Sequence, residues 1–146
     1  LINGYPGNNG IYEKATMVLC QYLLRWQNSE GKIIERWCNA VSASKYDVGE
    51  NGNYTILLSH RPEFFELYAA QGFDLALCGH AHGGQFRIPG ILNGLYAPNQ
   101  GFFPKYAGGE YHKKRTVMIV SRGLARESTR VPRFYNRPEL VIIDIV

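Results

Sequence analysis

Cysteine is scarce in this chain and long apolar runs are absent. Three cysteines, Cys20, Cys38 and Cys78, occur in 146 residues, an odd number with no CxxC spacing. A disulfide scaffold and a cysteine-rich zinc site are both disfavoured, and a reducing compartment is the expectation. No run approaches the ~18–20 apolar residues of a membrane span. The opening Leu-Ile-Asn-Gly-Tyr-Pro-Gly has no basic end followed by an apolar stretch, so no signal peptide is read there. The first residue is Leu rather than Met, which leaves room for upstream sequence. The expected location is cytoplasmic, or membrane-associated on the cytoplasmic side. No internal repeat and no low-complexity tract is present.

What is there is the composition of one globular domain. Apolar residues make up 45% and charged residues 19%, enough apolar content for one real core. The net charge is +4 and it is uneven. Residues 1–84 hold six basic and eight acidic side chains, whereas residues 85–146 hold ten basic and four acidic. A basic second half suits an anionic partner such as phosphate, although solvated Lys and Arg give the same count.

Residues 1–10 carry four Gly or Pro and three Asn and read as loop. Val18, Cys20, Tyr22, Leu24 and Trp26 alternate as one strand face, Asn28–Gly31 is turn chemistry, and Ile33–Val41 can return as a partner strand. A helix over Ile11–Trp26 fits the same residues. The hairpin is preferred. Residues 44–53 read as a polar linking loop.

Tyr54–Ser59 is a buried strand. Pro62 suits the first turn of a helix, Phe64, Leu67, Tyr68 and Gln71 fall at helical spacing, and Gly72 ends it. Phe73–Cys78 is a second buried strand, giving a compact parallel βαβ unit. Residues 79–115 hold eight Gly and three Pro and read as loop, with a short strand possible at Gln85–Ile88. Thr116–Ser121 and Leu140–Val146 read as further strands. The class is α/β.

Three histidines follow the two buried strands. His60 comes after Ser59, and His80 and His82 lie in Gly79-His-Ala-His-Gly-Gly84. Ligands of open α/β sheets bind beyond the carboxyl ends of the strands, so these imidazoles are expected at one edge. In extended backbone, His80 and His82 would point the same way and converge on one metal or two adjacent ones. Gly83 and Gly84 would leave room for an anion near the main chain. A lone strand-end histidine is ordinarily a satisfied polar residue; three at one edge point to a metal. His112 reads as an exposed loop residue.

The segments LLSHRPEFF and FDLALCGHAHGGQFRIP resemble the C-terminal half of the calcineurin-like metallophosphoesterases. LYAPNQGFFPKY, VSRGLA and NRPELVIIDI resemble one bacterial branch, which includes enzymes similar to UDP-2,3-diacylglucosamine pyrophosphatase. The resemblance covers about residues 54–146 of a single partial domain spanning 1–146; residues 1–53 match only vaguely. It implies part of a β-sandwich with flanking helices, to which this chain gives the second sheet and one or two helices. It implies two divalent metals (Mn, Fe or Zn) about 3.5–4 Å apart, with His60 and His80 on one and His82 on the other. The implied reaction is hydrolysis of phosphate mono- or diesters or pyrophosphates by metal-activated water, on substrates that include lipid-linked ones.

The family's DxH, GDxxD and GNHD motifs do not occur here. The chain has three aspartates, Asp47, Asp74 and Asp144, and none matches the bridging ligand. The expectation is a chain inactive, or nearly so, by itself. Two alternatives are a mononuclear zinc hydrolase built on His60, His80 and His82, and a non-catalytic module that binds an anion. Arg87 and Arg122 are candidate substrate contacts, since guanidinium suits bidentate phosphate binding; a loop-anchoring arginine is the commoner use. Tyr96, Phe102, Phe103 and Tyr106, with Pro98 and Pro104, form an aromatic loop that would act as a lid, as an acyl-binding surface or, more commonly, as self-packing. Nucleic acid is not expected. A sheet face left bare without the family's first half would favour self-association.

Overall fold

The computed structural model describes residues 22–28, 30–38, 44–48, 54–124 and 132–145. Two sheets and one short helix are built from them. The three-stranded sheet has the order β10-β1-β2, with β1 Tyr22–Gln27, β2 Ile33–Cys38 and β10 Val141–Ile145. The five-stranded sheet runs β3-β4-β5-β9-β8: β3 Ser44–Val48, β4 Tyr54–Ser59, β5 Leu75–Cys78, β9 Thr116–Val120 and β8 Gly109–Lys113. A small hairpin pairs β6, Tyr96–Ala97, with β7, Gly101–Phe102. These mixed sheets with few helices are the α/β architecture expected of a partial domain.

The preferred hairpin of the first half is present as the antiparallel pair β1–β2. Its turn works as the side chains dictate. Asn28 Oδ1 accepts from the amides of Glu30 (3.1 Å) and Lys32 (2.9 Å), and Gly31 takes φ +78. The earlier part of the strand reading, from Val18, and the helix alternative from Ile11 lie outside the described residues.

Strands β4, β5 and β9 are parallel neighbours, the crossover expected from the βαβ pattern. A 3₁₀ turn at Pro62–Phe64 leads into α1, Phe65–Ala70, and Gly72 ends it at φ +77. The helix buries Phe65, Tyr68 and Ala69 and leaves Phe64 and Leu67 exposed, so of the spaced residues only Tyr68 faces inward. The 3₁₀ start rotates the later residues relative to a continuous α-helix.

Three expectations need correcting. Residues 44–48 form a strand, not a loop: β3 pairs antiparallel with β4, and Asp47 therefore lies in a strand. It is an edge strand, satisfied by backbone pairing to one neighbour, which polar sequence permits. Residues 109–113, read as loop, form β8 against β9, and His112 sits there, exposed and 2.6 Å from Glu110. The strand expected at Gln85–Ile88 reduces to isolated bridges, Phe86 with Phe134 and Ile88 with Leu92.

Period-two alternation splits the central strands between two cores. Ile56, Leu58, Leu75 and Leu77 point to one face, where Tyr22, Leu24, Val141, Ile143 and Ile145 of the smaller sheet pack on them. Ala76, Cys78, Met118 and Val120 point to the other, under Phe65, Tyr68, Ala97 and Tyr106. Each fully buried Leu or Ile contributes roughly 1.5–3 kcal/mol. Strands β1 and β10 thus cover one face of the five-stranded sheet.

One hydroxyl joins the two sheets. Tyr22, fully buried, reaches the carbonyls of Cys78 and Ile119 (3.0 Å to the latter) and accepts from the Ser121 amide at 3.0 Å.

At the opposite end of the parallel strands, Asp74 accepts from the Thr55 amide (2.8 Å) and hydroxyl (2.9 Å) and pairs with Arg115. Burial alone would raise its pKa. The Thr55 hydrogen bonds and the Arg115 charge outweigh that and hold the carboxyl below its ordinary value. Asp74 is thus a structural clasp remote from the carboxyl edge. Asp144, the remaining described aspartate of β10, pairs with Arg25 at 2.6 Å.

Candidate metal centre

The register of the parallel strands delivers three functional side chains to one edge. Ser59 stands opposite Cys78, and Cys78 opposite Val120. The next residues are His60 after β4, Gly79-His80 after β5, and Ser121-Arg122 after β9.

His60 and His80 meet there. His80 Nδ1 lies 2.8 Å from His60 Nε2, and the rings stand edge to face with centroids 4.5 Å apart. The turn behind His60 is pinned by Tyr68. Its hydroxyl donates to the Arg61 carbonyl (2.7 Å) and accepts from Ser59 Oγ at 2.6 Å. Burial first, then the charges of His60 and Arg61, hold the His80 pKa below the ordinary imidazole value. Burial, then Arg133, lowers that of His82. Burial thus favours the neutral form of both imidazoles, the form in which a ring nitrogen can bind a metal.

The route by which the histidines converge differs from the expectation. The backbone is not extended at the HAH segment: His80 has φ +68 and His82 φ +48, with Ala81 in the helical region between them. Left-handed backbone at non-glycine residues costs on the order of 1–2 kcal/mol each, and the tight turn at 79–84 imposes it twice. His82 is half-buried, and among the described residues no three of His, Cys, Asp and Glu group as a metal site.

The glycines are used for close packing. A Cβ on Gly84, at φ +65, would stand 2.3 Å from Gly94 Cα, and one on Gly83, at φ +64, 2.1 Å from Asn136 Oδ1. The room expected for an anion at Gly83 and Gly84 is thus taken up, on these sides, by Gly94 and Asn136.

Asn136, 2% exposed, donates from Nδ2 to the His82 carbonyl (2.6 Å) and the Gln85 carbonyl (3.3 Å), so segment 132–137 holds the histidine loop in shape. Asn99, on the turn between β6 and β7, places its amide 2.6 Å from His80 Nε2. Neither asparagine carries a sequence signal by itself; Asn99 lies nineteen residues from His80 and Asn136 fifty-four from His82.

Arg122 donates to Glu139 Oε1 at 2.7 Å, and Arg87 to Asn93 Oδ1 at 2.9 Å. The aromatic loop divides. Tyr106 and Ala97 are buried, while Phe102 and Phe103 stand about 70% exposed on the hairpin that carries Asn99.

Comparison with known proteins finds relatives of this chain. The chain is 31% identical over 91 residues to phosphodiesterase YaeI of Escherichia coli, covering 62% of this chain and 32% of that protein. It is 33% identical over 93 residues to the uncharacterized metallophosphoesterase YkuE of Bacillus subtilis, covering 63% and 31% respectively. Over these residues the chain is similar to proteins described as a phosphodiesterase and a metallophosphoesterase. It spans about a third of the length of the curated relatives it matches. No family model and no solved structure matches it. No helix among the described residues is long and apolar enough to cross a membrane.

The donor set fits a metal in part. His80 Nδ1 and His60 Nε2 converge, while the other His60 nitrogen, Nδ1, is buried without a partner, so the hydrogen bond that ordinarily orients a ligating histidine is not made there. The carboxylates that would complete two metals are lacking among the described residues.

Proposed function

We propose that this chain is part of a metal-dependent phosphoesterase that hydrolyses phosphate esters, with His60, His80 and His82 as its share of the metal ligands. The observation that carries this reading is the 2.8 Å approach of His80 Nδ1 to His60 Nε2 at the carboxyl edge of two adjacent parallel strands. Bound divalent metals of the Mn, Fe or Zn kind would polarise the phosphoryl oxygens and acidify a water.

The chain's own residues prepare for that chemistry. Burial favours the neutral form of His80 and His82. Asn99 fixes the far side of the His80 ring, and Tyr68 fixes the turn that carries His60. The family resemblance implies His82 as a ligand of the second metal.

With three histidines and, among the described residues, no carboxylate grouped with them as a metal site, the chain is expected to be inactive alone. The test is metal content per chain after loading with Mn²⁺ or Zn²⁺ and desalting, alongside hydrolysis of bis-(p-nitrophenyl) phosphate. One metal or fewer in the wild type, a weaker level in His80→Ala, and no hydrolysis above buffer are expected. Metal binding indifferent to both His60→Ala and His80→Ala would sink the assignment. Hydrolysis abolished by His80→Ala would overturn the expected inactivity.

A further inference from the structure

Hydrogen bonds have a direction, and the one that starts at Asn99 can be followed across the histidine pair. The Asn99 amide nitrogen, which only donates, stands 2.6 Å from His80 Nε2, so that ring nitrogen accepts. A neutral His80 then carries its proton on Nδ1. His80 Nδ1 lies 2.8 Å from His60 Nε2 and donates to it. By the same rule a neutral His60 carries its proton on Nδ1. There the chain of bonds stops: His60 Nδ1 is buried and has no partner among the described residues. A buried N–H without an acceptor costs about 1–3 kcal/mol.

An acceptor with the opposite deficit lies on the same turn. Glu63 follows His60 by three residues, in the 3₁₀ turn Pro62–Phe64, and its side chain is 17% exposed. Its Oε1 is held by Arg61 Nε, whereas its Oε2 is buried and has no partner among the described residues. The charge is felt at the strand ends. Burial, then the Glu63 charge, push up the thiol of Cys78, which stands opposite Ser59 in the register. Burial and the His60 charge lower His80, and the Glu63 charge opposes them. The other buried side-chain oxygens that lack a partner, on Gln85 and Asn136, belong to other segments of the chain. An unused donor and an unused acceptor, both buried, thus share the short segment 60–63.

We propose that Glu63 is the positioning residue of the histidine pair: on a change of its rotamer, Oε2 accepts from His60 Nδ1 and keeps the Nε2 lone pair of His60 turned toward His80. The inference deepens the metal reading and rests on it for its purpose. A ligating imidazole ordinarily gives its second N–H to a carboxylate or carbonyl, which fixes the ring and raises its basicity. The two histidines then differ in kind. His60 needs its proton on Nδ1 with or without a metal, and Glu63 serves both states. His80 needs the proton on Nδ1 in the pair and on Nε2 when Nδ1 binds a metal, and an amide that can turn over suits it.

The experiment has two arms, both on the whole chain. The first is long-range ¹H–¹⁵N correlation of the imidazole rings in EDTA at about pH 8, where imidazole is neutral. In the wild type both His60 and His80 should be protonated on Nδ1. In Glu63→Ala the chain of bonds should reverse, with both protons on Nε2. A merely structural part for Glu63 in its turn would move the melting midpoint and leave the tautomers alone. The second arm is calorimetric titration with Zn²⁺. Glu63→Ala should weaken it about 10–100-fold, and Glu63→Gln, which keeps an acceptor oxygen, should fall between that variant and the wild type. Arg61→Gln breaks the ion pair and spares the carboxylate, so it should bind zinc no more weakly than the wild type. Unchanged tautomers in Glu63→Ala, or equal zinc affinity in Glu63→Ala and wild type, would overturn the proposal. If the wild type binds no zinc but the tautomers reverse, the metal reading falls and the hold of Glu63 on His60 stands. If zinc binds through His60 and His80 and the tautomers ignore Glu63, only the present inference falls.

Discussion

The Asn99 amide lies 2.6 Å from His80 Nε2 while the opposite nitrogen of the same ring faces His60 at 2.8 Å. The ring is therefore read from both sides. If His80 Nδ1 is to offer a lone pair to a metal, Nε2 must carry the proton, and Asn99 must present its oxygen. An asparagine amide can do so by rotating half a turn.

Asn99→Ala should accordingly weaken Mn²⁺ or Zn²⁺ binding by about 10–100-fold, the range found for partners of ligating histidines. It should leave the melting midpoint nearly unchanged, because Asn99 is on a surface turn. Calorimetric titration with either metal checks this, and an unaltered affinity would show that His80 holds its tautomer without help.

The close approach of Gly84 to Gly94 predicts an intolerant position. Gly84→Ala puts a Cβ 2.3 Å from the Gly94 backbone at φ +65. The loss should exceed about 2 kcal/mol. Gly90→Ala, also at positive φ (+79) but with open space around it, should cost only about 1 kcal/mol. Urea denaturation of the two variants gives the comparison directly.

Asp74 predicts a pH dependence. Its carboxyl is depressed in the folded chain, so its contribution is present above the unfolded value of about 3.9 and is lost as the pH falls through the lower folded value. Asp74→Asn should destabilise by about 1–3 kcal/mol at pH 7. The gap between variant and wild type should close toward pH 3. A gap of constant size from pH 7 to pH 3 would mean that the clasp works through shape and not through charge.

Tyr22→Phe removes the hydroxyl that serves the two sheets. Two carbonyls and the Ser121 amide lose a buried partner. A loss of about 1–3 kcal/mol is expected in urea denaturation, with no change in metal content.

The strands that make the site were legible because they are mostly apolar and carry no charge. YTILLS and LALC hold a core run of Ile and Leu, and the histidines follow them closely. Strands β3 and β8 were not legible. Both lie at the edges of the sheet, where one row of backbone groups pairs and polar side chains are tolerated. The direction of His80 and His82 was misjudged for a related reason. Alternation holds within a strand, and β5 ends at Cys78, two residues before His80. Asn99, Arg133 and Asn136 could not be singled out at all. Each matters through a partner far along the chain, and local pattern holds no record of that.

The parallel pairing of β1 with β10 has a bearing on how the chain is made. Arg25 meets Asp144 across 119 residues. A ribosome adding ~5–20 residues per second needs on the order of ten seconds to cover that distance. For all of that interval Leu24 and the apolar side of β4 and β5 lack the cover that Val141, Ile143 and Ile145 later give. The smaller sheet is then the last part to settle, and the nascent chain is the form of this protein in greatest need of a chaperone.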